Sequence, residues 1–186
     1  MPTPSIRRTA VIALGLLGLT SPAVFADDAK AMTVADMVAA VKPTLPATDG
    51  KDLAVESATM SQALNNKFAG QTINFDAGLI IQIITEGGGA KLVTFPPVDA
   101  EKSLGRSLGY AELKDSEVAA GKKLAPGDAA RVSGKVVSVS AKVDVDSAGK
   151  KLTHVRVTME DSSITGTTLR PRKKPANAAA TQPTAE

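Results

Sequence analysis

The chain has 186 residues, with 22 Lys and Arg against 19 Asp and Glu, one His and no Cys. Without cysteine it forms no disulfide and carries no lipid on a processed N-terminal cysteine, and with one histidine it lacks the ligand set of a zinc or transition-metal site. The basic excess sits at the two ends: residues 27–169 hold 16 basic and 18 acidic groups, a net of −2, so the body has no overall positive charge with which to neutralise phosphates.

Residues 1–26 read as a secretory signal peptide. Arg7 and Arg8 give a positive start, and Ala10 to Leu19 is an apolar run shorter than a bilayer span. Pro22 breaks the run, and Ala23-Val24-Phe25-Ala26 places small residues for cleavage after Ala26. Thr9-Ala10 follow the paired arginines where a twin-arginine signal prefers a bulky apolar residue, which points to the ordinary secretory route. The expected location is periplasmic or secreted, with no transmembrane segment after cleavage. A core without disulfides must then supply the stability.

Residues 27–52 read as an N-terminal helix and linker. Thr33 is placed to cap a helix with an apolar stripe at Val34, Met37, Val38 and Val41, which Pro43, Pro46 and Gly50 end. A second helix is expected from Leu53 to Phe68, with Leu53, Met60, Leu64 and Phe68 in a row and small Ser57 filling a gap. Neither helix is apolar all round, so each suits a surface position.

Residues 53–166 read as a barrel with its leading helix. In the first strand Ile73, Phe75, Ala77, Leu79, Ile81 and Ile83 alternate with Asn74, Asp76 and Gln82, which predicts one face in a core. Gly78 marks a bend. Glu86-Gly87-Gly88-Gly89 turns the chain, and Ala90 to Phe95 is the second strand. A third is expected from Leu104 to Leu113, and a short helix follows between Lys114 and Leu124. The fourth strand, Ala130 to Val145, slips phase at Val136-Val137, the mark of a bulge or of burial on both faces. Asp146 to Lys150 is a hairpin turn. The last strand, Lys151 to Met159, puts Val155, Val157 and Met159 inward and His154, Arg156 and Thr158 outward, and Ser162-Ser163-Ile164 closes the domain. Residues 167–186, rich in Pro, Ala and Thr, read as a disordered tail with a basic root.

Five strands with a helix between the third and fourth is the order of the OB fold, so the expected class is mainly β with flanking helices (α+β): a five-stranded Greek-key barrel, two N-terminal helices and a disordered C-terminal tail. Leu64-Asn65-Asn66-Lys67-Phe68-Ala69-Gly70-Gln71, Leu124-Ala125-Pro126-Gly127-Asp128, Val132 to Val136 and Val155 to Ile164 resemble the tRNA_anti-like family of bacterial exported OB-fold proteins. The resemblance spans Leu53 to Ile164 and implies the fold. It carries no functional residue across.

The residues name an architecture rather than an activity. No catalytic residue, cofactor or metal ligand is assigned. Asp144, Asp146 and Ser147 form a polar turn rather than a calcium loop, and Gly87–Gly89 opens a strand, not the helix that a phosphate-cradling loop requires. His154 is the sole imidazole, on an outward strand face without a nucleophile pattern beside it. The expectation is a non-enzymatic binding or interaction module for a protein, peptide or small ligand. It would use a barrel face between the Gly87–Gly89 and Asp146–Lys150 loops, with Phe95, Tyr110, His154 and Arg156 as candidate contacts. Oligonucleotide or polyanion binding is the alternative, with Arg170, Arg172, Lys173 and Lys174 as candidate contacts. The net acidic body and export weigh against nucleic acid. A carboxylate hydrolase is a further alternative, requiring two adjacent acids in unlike environments.

Overall fold

The computed structural model describes residues 31–46, 52–97 and 103–171. The signal segment, Arg172, Lys173, Lys174 and the rest of the tail lie outside the described residues.

Helix α1 (Val34–Val41) starts at a capping box: the Asp36 N–H donates to Thr33 Oγ1 at 3.1 Å and the Thr33 N–H to Asp36 Oδ2 at 2.9 Å. Its stripe Val34, Met37, Val38 and Val41 is buried, as its spacing predicts. Helix α2 (Leu53–Phe68) is capped by Asp52, which accepts the N–H groups of Ala54 and Val55, and buries Met60, Leu64 and Phe68. Both helices pack their apolar faces into the core that fills the barrel.

The strands are β1 (Thr72–Ile84), β2 (Lys91–Phe95), β3 (Leu108–Leu113), β4 (Ala129–Val145) and β5 (Lys151–Thr168). A tight helical turn at Asp115–Glu117 and the one-turn helix α3 (Val118–Gly121) lie between β3 and β4. The strands close in the order β1-β2-β3-β5-β4 and back to β1, with β3 and β5 parallel and the other pairs antiparallel. That ring, with its helical segment between the third and fourth strands, is the OB fold.

Three local readings need correction. The alternation of β1 puts Leu79 inward, but Gly78 adopts φ +70° at a register shift, and the side chains change sides there. Phe75 and Ala77 face the core, Leu79 stands 53% exposed and Ile80 is buried. A second shift between Ile80 and Gln82 then returns Ile83 to the core side. A Cβ on Gly78 would lie 2.2 Å from the Phe95 carbonyl oxygen, so β1 passes the end of β2 only because that residue has no side chain.

The second correction is β5, which runs to Thr168 instead of ending at Met159. Its second half pairs with β4 and buries Ser162, whose Oγ lies 2.4 Å from where a Gly134 Cβ would stand. Two small residues in contact leave no apolar alternation to read. The third is β3, which begins at Leu108; Leu104 makes only an isolated bridge to Thr153. The phase slip in β4 is a bulge: the register shifts between Val136 and Ser138, and Val137 points outward.

Beyond Val136, one edge of β4 has no strand beside it among the described residues. Helix α2 takes that place. Ser57, Ser61 and Asn65, four residues apart on one helix face, accept the N–H groups of Val143, Ala141 and Val139 at 2.8, 2.8 and 3.2 Å. The Ser61 hydroxyl also donates to the Ala141 carbonyl at 3.0 Å. Ser57 is therefore a strand-edge partner and not only a small residue filling a gap. Ser61→Ala would leave both polar groups of Ala141 without their partner. We expect a loss of about 1–3 kcal/mol in urea unfolding, and an unchanged midpoint would show that water replaces the hydroxyl.

Candidate functional site

The outer face of the barrel between the two hairpin turns brings the four candidate contacts together. Lys91↔Glu112 and Val93↔Tyr110 are cross-strand partners of β2 and β3, and the register carried one step further sets Phe95 beside Leu108. Phe95 and Tyr110 thus share a face as diagonal neighbours, about 7–8 Å apart along the ladder. The parallel pairing of β3 with β5 sets Leu108 beside Arg156 and Tyr110 beside Thr158. On the far side Arg156 meets Ser140 of β4, and Lys142 meets His154.

The rings are half-buried, and each has a guanidinium over it. Arg106 lies 3.9 Å from the Phe95 centroid and Arg156 lies 5.7 Å from that of Tyr110, both within cation–π range. Arg106 is held there by a short extended segment before β3. Gly105 donates its N–H to Thr153 at 2.8 Å and Thr153 donates to Ser103 at 2.9 Å. The buried Ser107 hydroxyl accepts the Val155 N–H at 3.1 Å. The His154 ring lies against the bare Cα of Gly105, where a Cβ would come within 2.4 Å of it, and its Nδ1 is 3.1 Å from the Arg106 carbonyl.

The charge on this face is uneven in a way that the chain total hides. Glu112 is paired with Lys91 at 3.5 Å and Asp144 with Lys142 at 2.7 Å. The Lys142 hydrogen bond, helped by the Val145 N–H, holds the Asp144 carboxyl below its usual range. Among the described residues, Arg106 and Arg156 are in no ion pair. A body with a net acidic balance therefore presents one face with two uncompensated guanidiniums. A hollow of about 320 Å³ lies between Arg106, Leu108, Lys142, His154 and Arg156.

A larger groove of about 790 Å³ adjoins it at the β1 bend, with Leu79, Pro96 and Ala129 among its walls and Arg106 and Arg131 at its sides. Neither Leu79 nor Arg106 stands out in the sequence as a contact. Leu79 is in phase with core residues, and Arg106 lies before the strand whose pattern would orient it. Of the tail candidates, Arg170 is described: its N–H donates to Asp128 at 2.9 Å and its side chain lies over the Gly127 turn.

The remaining polar candidates are used locally. Asp146 Oδ1 accepts the Ala148 and Lys150 N–H groups at 2.9 Å, closing the β4–β5 turn. Among the described residues no three of His, Cys, Asp and Glu come together as a metal site would need, and no helix is long and apolar enough to cross a membrane.

No family model and no curated protein matches the sequence. Two crystal structures of a mitochondrial single-stranded DNA-binding protein from S. cerevisiae, one of them selenomethionine-labelled, are similar at 8% and 10% identity, each over 52% of this chain and 96% of the other, with a TM-score of 0.31. The OB assignment stands on strand order and pairing, independently of that alignment.

An exposed cation–π contact is worth about 0.5–1 kcal/mol. Arg106→Ala should therefore lower stability by no more than about 1 kcal/mol in urea unfolding. A larger loss would mean that the guanidinium holds the Ser103–Ser107 segment in place.

Proposed function

We propose that this chain is an exported, non-enzymatic binding module whose working surface is the outer face of β2, β3 and β5, and whose ligand is a single-stranded oligonucleotide. One observation carries the reading: two guanidiniums without carboxylate partners among the described residues lie over two aromatic rings on one open face. Bases stack on rings and phosphates meet guanidiniums, so a single strand uses both halves of the arrangement at once. An acidic peptide would use the arginines and leave the rings idle. A neutral ligand would leave both arginines uncompensated.

The acids do not favour hydrolysis. Asp128 is the one fully buried carboxylate among the described residues, and it accepts the Ala125 and Arg170 N–H groups at 2.8 and 2.9 Å. That is the work of a structural acid closing a turn, without a second buried carboxylate beside it. Membership of the tRNA_anti-like family is part of the same reading, resting on the motifs between Leu64 and Ile164. Export limits the ligand's source to nucleic acid outside the cytoplasm.

The test is fluorescence anisotropy of the full chain with a single-stranded oligonucleotide, beside an acidic peptide of equal charge, over a salt series. The expected result is binding to the oligonucleotide that weakens with salt. The double variant Arg106→Ala/Arg156→Ala should lose more than about tenfold, and Tyr110→Ala should lose the roughly 1–3 kcal/mol of a stacked base. No binding at low salt, or equal binding of the peptide with Tyr110→Ala silent, would overturn the oligonucleotide reading.

Export has its own measurement. After expression in a bacterium with its secretion route intact, the protein recovered from the periplasm or medium should begin at Asp27. A product retained in the cytoplasm with its first residues intact would remove the exported location.

A further inference from the structure

We infer that the bound strand continues past Phe95, crosses the Gly78 bend of β1 and ends on Arg131 of β4. This rests on the reading of the β2–β3–β5 face as an oligonucleotide site and adds its path and length.

The two hollows are one surface. Arg106 lines both the smaller hollow beside Arg156 and the groove of about 790 Å³ at the bend. Cross-strand pairing continues the row of outward side chains: Phe95 is the partner of Leu79, and Leu79 of Ala129. An apolar stripe therefore runs from Leu108 through Phe95 and Leu79 to Ala129, across three strand boundaries. Its third member, Leu79, is 53% exposed, whereas Ile73, Phe75 and Ala77 before it in β1 are buried. It is outward because Gly78 inverts the phase of β1, and the bend that opens the groove needs the same glycine.

The charges fit an anionic chain along that stripe. Arg131 is exposed at the far side and, like Arg106 and Arg156, forms no ion pair among the described residues. Three guanidiniums thus flank one apolar track. Going from β5 through β3, β2 and β1 to β4 takes four strand spacings, roughly 19 Å along the sheet, a length for several nucleotides rather than one. Among the described residues one carboxylate stands in the path. Asp76 is the ladder partner of Arg131, and its Oδ1 accepts the Gly78 N–H at 3.1 Å. It serves the bend, and its charge opposes the proposed ligand. An asparagine there would keep the acceptor and remove the repulsion.

Two oligonucleotide lengths separate the claims, a dinucleotide that covers the two rings and a strand of about 16 nucleotides, the upper limit of site size for one OB barrel. The short strand is taken up by the rings, and only the long one reaches the groove. With the full chain, Arg131→Ala should weaken the long strand several-fold and lower its log–log salt slope by about 0.7, one phosphate contact on a single strand. It should leave the short strand unchanged. Asp76→Asn should tighten the long strand and not the short one. If both variants leave the long strand unchanged while Arg106→Ala/Arg156→Ala weakens it, the strand stops at Phe95: the path is wrong and the face reading stands. Equal effects of Arg131→Ala on both lengths also overturn the path, because Arg131 then acts through the general field. If Arg106→Ala/Arg156→Ala changes neither length, the face reading fails as well. Circular dichroism checks the folding of each variant; Arg106, Arg131 and Arg156 are exposed and Asp76 is half-buried.

Discussion

The barrel depends on a helix standing in for a strand. The first half of β4 is paired on both sides, but beyond Val136 its β1 edge is bare, and a bare edge is both unsatisfied and open to wrong partners. Helix α2 covers it with Ser57, Ser61 and Asn65, whose side chains accept three successive outward N–H groups of the edge. The apolar side of the same helix, Met60, Leu64 and Phe68, enters the core. The candidate face hangs on this arrangement through a chain of pairings. Edge-capped β4 aligns β5, β5 aligns β3 in parallel with Leu108 beside Arg156, and β3 sets Tyr110 beside Val93 of β2.

Much of that frame was legible because period and punctuation agree with it. Both N-terminal helices are found where stripe and caps place them, and the bulge in β4 lies at the phase slip between Val136 and Val137. The misreadings have a common cause. Periodicity reports a side chain's face only while the backbone keeps its phase, and Gly78 at φ +70° breaks it without changing the hydrophobic pattern. Leu79 therefore looks like a core residue and lines a groove. The second half of β5 was hidden for the opposite reason: its burial is supplied by Ser162 against Gly134, a contact between small residues that hydrophobicity does not register. Ser57 and Ser61 were hidden because a hydroxyl on a helix face does not announce that it faces a strand edge.

Residue type singles out the four candidate contacts, and strand phase turns His154 and Arg156 outward while leaving Tyr110 open to either face. Their mutual placement depends on register across four strands, which no single stretch contains. Net charge hides the local balance for a related reason. A total of −2 over residues 27–169 is a sum over a surface on which Glu112 and Asp144 are already paired while, among the described residues, Arg106 and Arg156 are not. A ligand meets the unpaired charges, so distribution decides and the sum does not.

The arginines over the rings also bear on how half-buried, outward-facing rings persist in the protein. Phe95 and Tyr110 face outward, where bare rings would invite association with other chains. A guanidinium over each ring shields it and keeps the face hydrated, at an attraction of about 0.5–1 kcal/mol per exposed pair. A stacked base is worth about 1–3 kcal/mol. For the proposed strand the exchange is therefore downhill: the base takes the ring, and the displaced guanidinium, on a long side chain, turns to the phosphate beside it. The same contact that covers the ring when it is empty delivers the cation where the strand's charge arrives, and Arg106, held over Phe95 by a segment pinned to β5, is the better placed of the two to do so.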